Sequence, residues 1–476
     1  MSARGERGTG AEAGRAGRVE QSPAEQGEQH LALAEHVVQL ARRGGADAAD
    51  VVIDSGVEFS VTVRRGRVEK LQEAASCGLG LRVFRGGRCA VTYTSDLTPA
   101  ALARLVEQAL DLAAVADPDP LADLPDPEAW ALPQPTDLAS FDPAVATVTV
   151  EQAIELARRC EQAAFDFDSR VTNSDGATYS SEHGSRVLVN SRGFAGSYTG
   201  TLCALSVEAI CDDAEGKKRN DYWYTAARAF ADLEPPELVG RRAAERAVRK
   251  LGARKARTQQ VPVVWDPMVA RAFVGHLARA FLGDALYRRA TFLLDREGEQ
   301  VASPLVTIVD DPTLPGRLRS RPFDGEGATA RRNAVIVDGV FRQFLLDTYS
   351  ARKTGRQTTA SAVRSVSSTP APGTTNLYLA AGPHTPREII ASVDNGLYLT
   401  DTMGFGWNIT TGDFSQGAAG LWIERGELAY PVSEINVSGN LNAMLRDIDM
   451  VGNDLEFRSA TAAPTFRMAK LMVSGL

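Results

Sequence analysis

The chain has 476 residues, 44% hydrophobic and 24% charged, with a formal net charge of −8 and a pI near 5.4. This composition excludes a fibrous or wholly disordered protein, and the length fits two or three units of about 100 to 200 residues each. The acidic balance argues against wholesale phosphate-backbone binding, so nucleic acid is not an expected partner.

Residues 1–28 carry Gly, Arg, Glu and Ala without an apolar run, which reads as a disordered tail and as neither a signal peptide nor an anchor. Residues 29–116 read as an N-terminal α+β domain. Gln29 to Gly44 spaces Leu33, Ala34, Val37, Val38 and Ala41 as an amphipathic helix stopped by Gly44-Gly45. Strands are expected at Asp50 to Asp54, Glu58 to Arg64 and Gly66 to Gln72. A further hairpin, Gly80 to Phe84 and Arg88 to Tyr93, turns at Gly86-Gly87, and Thr98 to Ala114 is a closing helix. Residues 117–148 hold Pro118, Pro120, Pro125, Pro127, Pro133 and Pro135 and read as an extended connector.

A central α+β segment, 149–258, opens with a helix from Thr149 to Phe165. Strands follow at Thr178 to Ser181, Ser185 to Asn190, Phe194 to Ile210 and Asp221 to Ala226, then a helix from Val239 to Gly252. That last helix carries Arg241, Arg242, Arg246, Arg249 and Lys250, for which a solvated face is favoured over a binding patch because Glu245 interrupts it. Residues 259–476 read as a β-rich, barrel-like C-terminal domain. It holds the helix from Asp266 to Gly283, with Asp266 as cap and Pro267 in the first turn, and hairpins at Ala334 to Leu346 and Gly420 to Val432. The fold class expected is α+β. No window approaches the ~18 apolar residues of a membrane span.

The candidate chemistry is sparse. Cys77, Cys89, Cys160, Cys203 and Cys211 are odd in number and form no C-x-x-C pair, which fits reduced packing thiols in a cytoplasmic protein. The five histidines are His30, His36, His183, His276 and His384; only His276 lies in its helix, so a zinc site built from this chain is not expected. Asp310, Asp311, Asp324 and Glu326 could form an acid and base pair, but Pro312, Pro315, Gly316, Gly325 and Gly327 around them favour turn-holding roles. Gly412-Asp-Phe-Ser415-Gln-Gly417 lacks the spacing of a nucleophile elbow, and Gly78-Leu-Gly80 lacks the third glycine of a dinucleotide fingerprint.

Several blocks together resemble the TldD/PmbA peptidase family, in its PmbA (TldE) branch. They are Thr291-Phe-Leu-Leu-Asp295, Asp310-Asp-Pro-Thr-Leu-Pro-Gly316, Arg321-Pro-Phe-Asp-Gly-Glu-Gly327, Leu345-Leu-Asp-Thr-Tyr-Ser-Ala-Arg-Lys353, Thr411-Gly-Asp-Phe-Ser-Gln-Gly417 and Val451-Gly-Asn-Asp-Leu455. The resemblance implies a cytosolic assembly in which a zinc-bearing TldD member pairs with a PmbA/TldE member around a chamber that admits unfolded or extended peptides. In the TldD branch the metal helix reads His-Glu-x-x-x-His, and a later Gly-x-Cys segment adds a thiolate. The corresponding stretch here is His276-Leu277-Ala278-Arg279-Ala280-Phe281, and no cysteine follows Cys211. The resemblance thus implies no cofactor on this chain, zinc in a TldD-like partner, and assembly with that paralogue or with a second copy. His276, Asp310, Asp311, Asp324, Glu326, Asp347 and Arg352 are the candidates to face a cleft or a peptide substrate. Two alternatives stay open: an independent metal-free peptidase, and a peptide-binding regulator of the gyrase-modulator type without turnover.

Overall fold

The computed structural model describes residues 23–476. In chain order it forms α1 (Pro23–Arg43), β1 (Ala48–Arg64), β2 (Arg67–Arg85), β3 (Arg88–Thr94), α2 (Pro99–Val115), α3 (Pro143–Ala146), α4 (Val150–Phe167), β4 (Val171–Asn190), β5 (Ala195–Asp212), β6 (Lys218–Ala227) and α5 (Pro236–Val248). Helix α1 begins ahead of Gln29, so the end of the expected tail is helical; residues 1–22 of that tail lie outside the described residues. Ala34, Val37, Val38 and Ala41 are buried as their spacing requires, and Gly45, at φ +99°, turns the chain out of the helix.

The strands form a single antiparallel sheet in the order β3-β2-β1-β4-β5-β6. The N-terminal and central units therefore share a sheet, built from both sides of the 117–148 connector. That connector is not wholly extended: it holds a short turn at Pro127–Trp130 and the helix α3. Where the sequence reads as several short strands, β1, β2 and β4 each run unbroken. Local breakers such as Ser55-Gly56 and His183-Gly184 are overridden because β1 and β4 are hydrogen-bonded on both edges.

Side chains alternate along a strand, so Val51, Ile53, Val61, Leu79, Leu81, Tyr179, Leu205 and Val207 point to one face. Helices α1 and α2 cover one end of that face, and α4 and α5 cover the other. Burying each such aliphatic side chain contributes about 1.5–3 kcal/mol, which fixes four half-polar helices to the sheet. Helix α4 starts where the sequence indicates, with Thr149 and Gln152 each accepting from the other's amide, at 3.2 and 2.9 Å.

The C-terminal part opens with β7 (Gln259–Trp265). It joins Asn395–Met403, Asp413–Glu424, Glu427–Asn440 and Phe466–Ser474 in a closed five-stranded barrel, sealed where Asn436 to Ser438 pair with Met472 to Ser474. Helix α6 (Pro267–Ala278) packs on it through Phe273, whose ring lies 5.1 Å from that of Trp265 and 5.8 Å from that of Phe466. Asp266 accepts from the Met268 amide at 2.9 Å, the expected cap. The helix stops at Ala278 rather than Gly283, because the chain turns to let the Gly283 amide reach Leu345 O at 2.9 Å.

The barrel side meets the other face of the large sheet. A Cβ on Gly80 would lie 2.0 Å from Val366 O, so the glycines noted at 78 and 80 mark a backbone contact between the two halves. Replacing Gly80 by Ala is expected to lower the unfolding free energy by about 1–3 kcal/mol, as overpacking does. The check is a urea titration, where the midpoint falls at unchanged slope; an unmoved midpoint would mean that the contact yields freely.

Candidate functional site

The carboxylates proposed from sequence are all buried, and their oxygens are engaged by nearby backbone and hydroxyl groups. Asp310 accepts from the Thr375 amide at 2.6 Å and its hydroxyl at 2.9 Å. Asp311 accepts from the Thr313 amide at 2.8 Å and hydroxyl at 2.6 Å. Asp324 accepts from the amides of Glu326 and Ala328, both at 2.9 Å, and of Ala362 at 3.0 Å. Asp347 caps the helix Thr348–Lys353 through the Ser350 amide at 2.9 Å, and Glu326 takes the Thr348 amide at 2.8 Å. Asp311 and Asp324 have the turn-holding geometry expected of them, whereas Asp310 and Glu326 tie together segments 65 and 22 residues apart. Arg352 is partly buried and donates to Asp123 O and Leu124 O at 3.0 and 2.7 Å, which pins the connector.

Asp324, Glu326 and Asp347 belong to one buried group, Asp310 and Asp311 sit by Thr375 and Thr313, and the Arg321 charge acts on both Asp310 and Asp324. His276 stands apart, exposed on α6 with its ring stacked on Trp407 at 4.8 Å. Partial burial and then the Arg279 charge hold its imidazole below the ordinary range.

The buried group has a centre that sequence reading missed. Asp50 of β1 accepts from Arg82 Nε of β2 at 3.0 Å and from Arg364 Nη1 at 2.6 Å, and Arg82 Nη1 lies 3.9 Å from Glu326. All four side chains are almost fully enclosed. Burial alone would raise Asp50, but the Arg364 and Arg82 guanidiniums hold it below the usual carboxylate range. Burial wins at Glu326 and Asp324, which rise, and pushes Asp310 up to about 6. The available signal was two charged residues, Asp50 and Arg82, set within otherwise apolar strand runs.

The basic side of α5 corrects the solvated-face reading. Arg246 lies 3.2 Å from Asp221 and 3.6 Å from Asp266, Lys250 lies 2.9 Å from Asp221 and 3.1 Å from Asp401, and Arg242 meets Glu234 at 2.7 Å. Only Arg241 of the five is left exposed. The cations pair with carboxylates of β6, the start of α6 and the barrel, joining the halves where partner and sequence position are too far apart for local pattern to show. Beside this seam a groove of about 680 Å³ runs between β6, an edge strand of the large sheet, and barrel residues including Met403, Gly417 to Gly420 and Pro431 to Asn436.

Among the described residues no three His, Cys, Asp or Glu side chains gather as a ligand set. Cys160, Cys203 and Cys211 are buried in the sheet core, and burial raises their thiols, Cys203 to about 12. Leu277 and Phe281 are both fully enclosed in the barrel core. No helix among the described residues is long and apolar enough to cross a membrane.

Residues 49–113, 143–251 and 258–475 match domain 1, the central domain and the C-terminal domain of the PmbA/TldA metallopeptidases. The chain belongs to the TldD/PmbA family. It is 39% identical to metalloprotease PmbA of Escherichia coli O157:H7, over 91% of this chain and 93% of that protein. It is 27% identical to a metalloprotease TldD homologue of Haemophilus influenzae, over 86% of each. Among solved structures it resembles a Bacteroides thetaiotaomicron protein described as a candidate modulator of DNA gyrase, with TM-score 0.88 and 29% identity over 94% of this chain and 99% of that one. It shares its fold with TldE of Thermococcus kodakarensis, with TM-score 0.83 and 20% identity over 93% and 100% of the two chains.

The raised carboxyls set a pH dependence. An unfolded carboxyl loses its proton near pH 4, while folded Asp310 keeps its own up to about 6 and Glu326 up to about 7, so the folded state binds more protons in between and stability falls as pH rises from about 4 to 7. Glu326→Gln, which mimics the neutral acid, is expected to flatten part of this decline in denaturant titrations across that range. An unchanged slope would place the proton elsewhere.

Proposed function

We propose that this chain is the PmbA/TldE-type subunit of a cytosolic TldD/TldE-type metallopeptidase, and that it takes no metal itself but shapes a chamber that receives unfolded or extended peptides. One observation carries this reading. Leu277 and Phe281, the residues that the resemblance sets opposite a glutamate and a histidine ligand, are apolar and wholly taken up by the barrel core, while His276 points outward against Trp407. A zinc ion needs several nitrogen, sulfur or oxygen donors converging on one point, and a helix committed to apolar packing on that side has none to offer.

The groove beside β6 supports a role in handling peptide. An edge strand presents unpaired amides and carbonyls, and an extended segment gains affinity by adding to it as a further strand whatever its side chains. The cleavage chemistry would then belong to a TldD-like partner bearing zinc. A homodimer is the other assembly consistent with this role.

Reconstitution tests the reading. The purified chain alone is expected to leave an unfolded peptide intact, and addition of a TldD-type paralogue from the same cell is expected to restore cleavage that a chelator abolishes. Cleavage by the metal-stripped chain alone would support an independent peptidase instead, and peptide binding with no turnover in either state would support a regulator.

A further inference from the structure

Between α5, the start of α6 and the Asp454–Ala463 segment lies a second, smaller cavity of about 160 Å³. It is below the roughly 300–1,000 Å³ of sites for drug-sized ligands and equals the volume of about five waters, which suits the end of a chain or one side chain. Three guanidiniums, Arg246, Arg271 and Arg458, line it together with Trp223.

Their states of pairing differ. Arg246 is matched by Asp221 and Asp266, and Arg458 by Glu234 at 3.1 Å and by Glu456. Arg271 has no carboxylate within 4.0 Å among the described residues. It donates through Nη1 to Ser459 Oγ at 2.9 Å and lies over the Tyr224 ring at 5.4 Å; its Nε, like that of Arg246, is buried without a hydrogen-bond partner.

The carboxylates of the cavity wall accept hydrogen bonds from other groups and keep their charge beside the three guanidiniums. Asp266 holds the Met268 amide and the Tyr398 hydroxyl, each at 2.9 Å, and Asp454 holds the Thr465 amide at 3.0 Å and its hydroxyl at 2.7 Å. Glu456 is exposed and serves Arg458. The first turn of the 12-residue helix α6, Pro267 and Met268, also borders the cavity and adds the positive end of its dipole. A guanidinium is a rigid planar fork that matches a carboxylate with two parallel bonds.

We infer that this cavity binds a carboxylate carried by a peptide, at its C terminus or on an acidic side chain, with Arg271 as the group that recognises it. The inference rests on the peptide-handling reading above and adds to it a chemical preference. Because Arg271 is on α6 and the cavity is walled by β6-adjacent and barrel-side residues, the site would fix one end of a chain laid near the seam between the two halves.

The experiment is fluorescence anisotropy on the full-length chain, alone and with its TldD-type partner, using a dye-labelled unstructured peptide. Three versions are compared: one free of acidic residues with a free C terminus, the same peptide amidated, and the amidated peptide carrying one aspartate. The wild-type protein is expected to bind the free-acid or the aspartate version about ten- to hundredfold more tightly than the plain amide, the gain identifying the source of the carboxylate. Arg271→Gln is expected to erase that difference while Arg271→Lys keeps part of it, with unchanged thermal unfolding midpoints showing that both are folded. Equal binding of all three versions by the wild-type protein would overturn the carboxylate site and leave the peptide reading standing. A preference retained in folded Arg271→Gln would overturn the role of Arg271. Failure of every version to bind, with or without partner, would contradict the peptide reading and this inference with it.

Discussion

The structure depends on a buried carboxylate shared by two guanidiniums. Asp50 lies on the central β1, Arg82 comes from the neighbouring β2, and Arg364 reaches in from the C-terminal half. Each ion pair recovers a desolvation cost that neither charge could bear alone, and removing one partner from such a group typically costs about 3–5 kcal/mol. Two arginines against one firmly ionised aspartate leave positive charge that Glu326, 3.9 Å from Arg82, offsets only in part, because burial favours its protonated form. This couples the proton on Glu326 to the fit between the sheet and the barrel.

A second seam, the cations of α5 with Asp221, Asp266 and Asp401, joins the same halves elsewhere. Between them these contacts determine what remains open: the outer edge of β6 and the groove facing the barrel. Both seams are polar. A polar interface specifies one docking arrangement because a shifted one would leave charges unmatched, whereas an apolar interface tolerates sliding.

Much of the fold was legible because its signals are local. The caps at Thr149 and Asp266, the turn at Gly44-Gly45 and the hairpin at Arg425-Gly426 are written in adjacent residues, and their elements occur where expected. The long strands were not, since Ser55-Gly56 and His183-Gly184 read as breaks until both neighbours of each strand are known. The candidate site was legible only in part. Asp324 was legible as a turn residue from the glycines that follow it, whereas the cap formed by Asp347 was not. Asp50, Arg82 and Arg364 meet from positions up to 314 residues apart, a separation for which no single-sequence pattern exists. Arg246 and Lys250 looked solvated because their carboxylate partners lie on other elements.

Helix α6 is committed to the barrel through Phe273, Leu277 and the following Phe281, so its inward side provides packing and its outward side His276. In the proposed assembly this polypeptide handles substrate and leaves the metal to a partner. Elemental analysis of the purified chain after saturation with zinc and removal of loosely held ions tests this. Far less than one zinc per chain is expected. One tightly held equivalent, whose removal abolishes peptide cleavage by the chain alone, would overturn that division of labour.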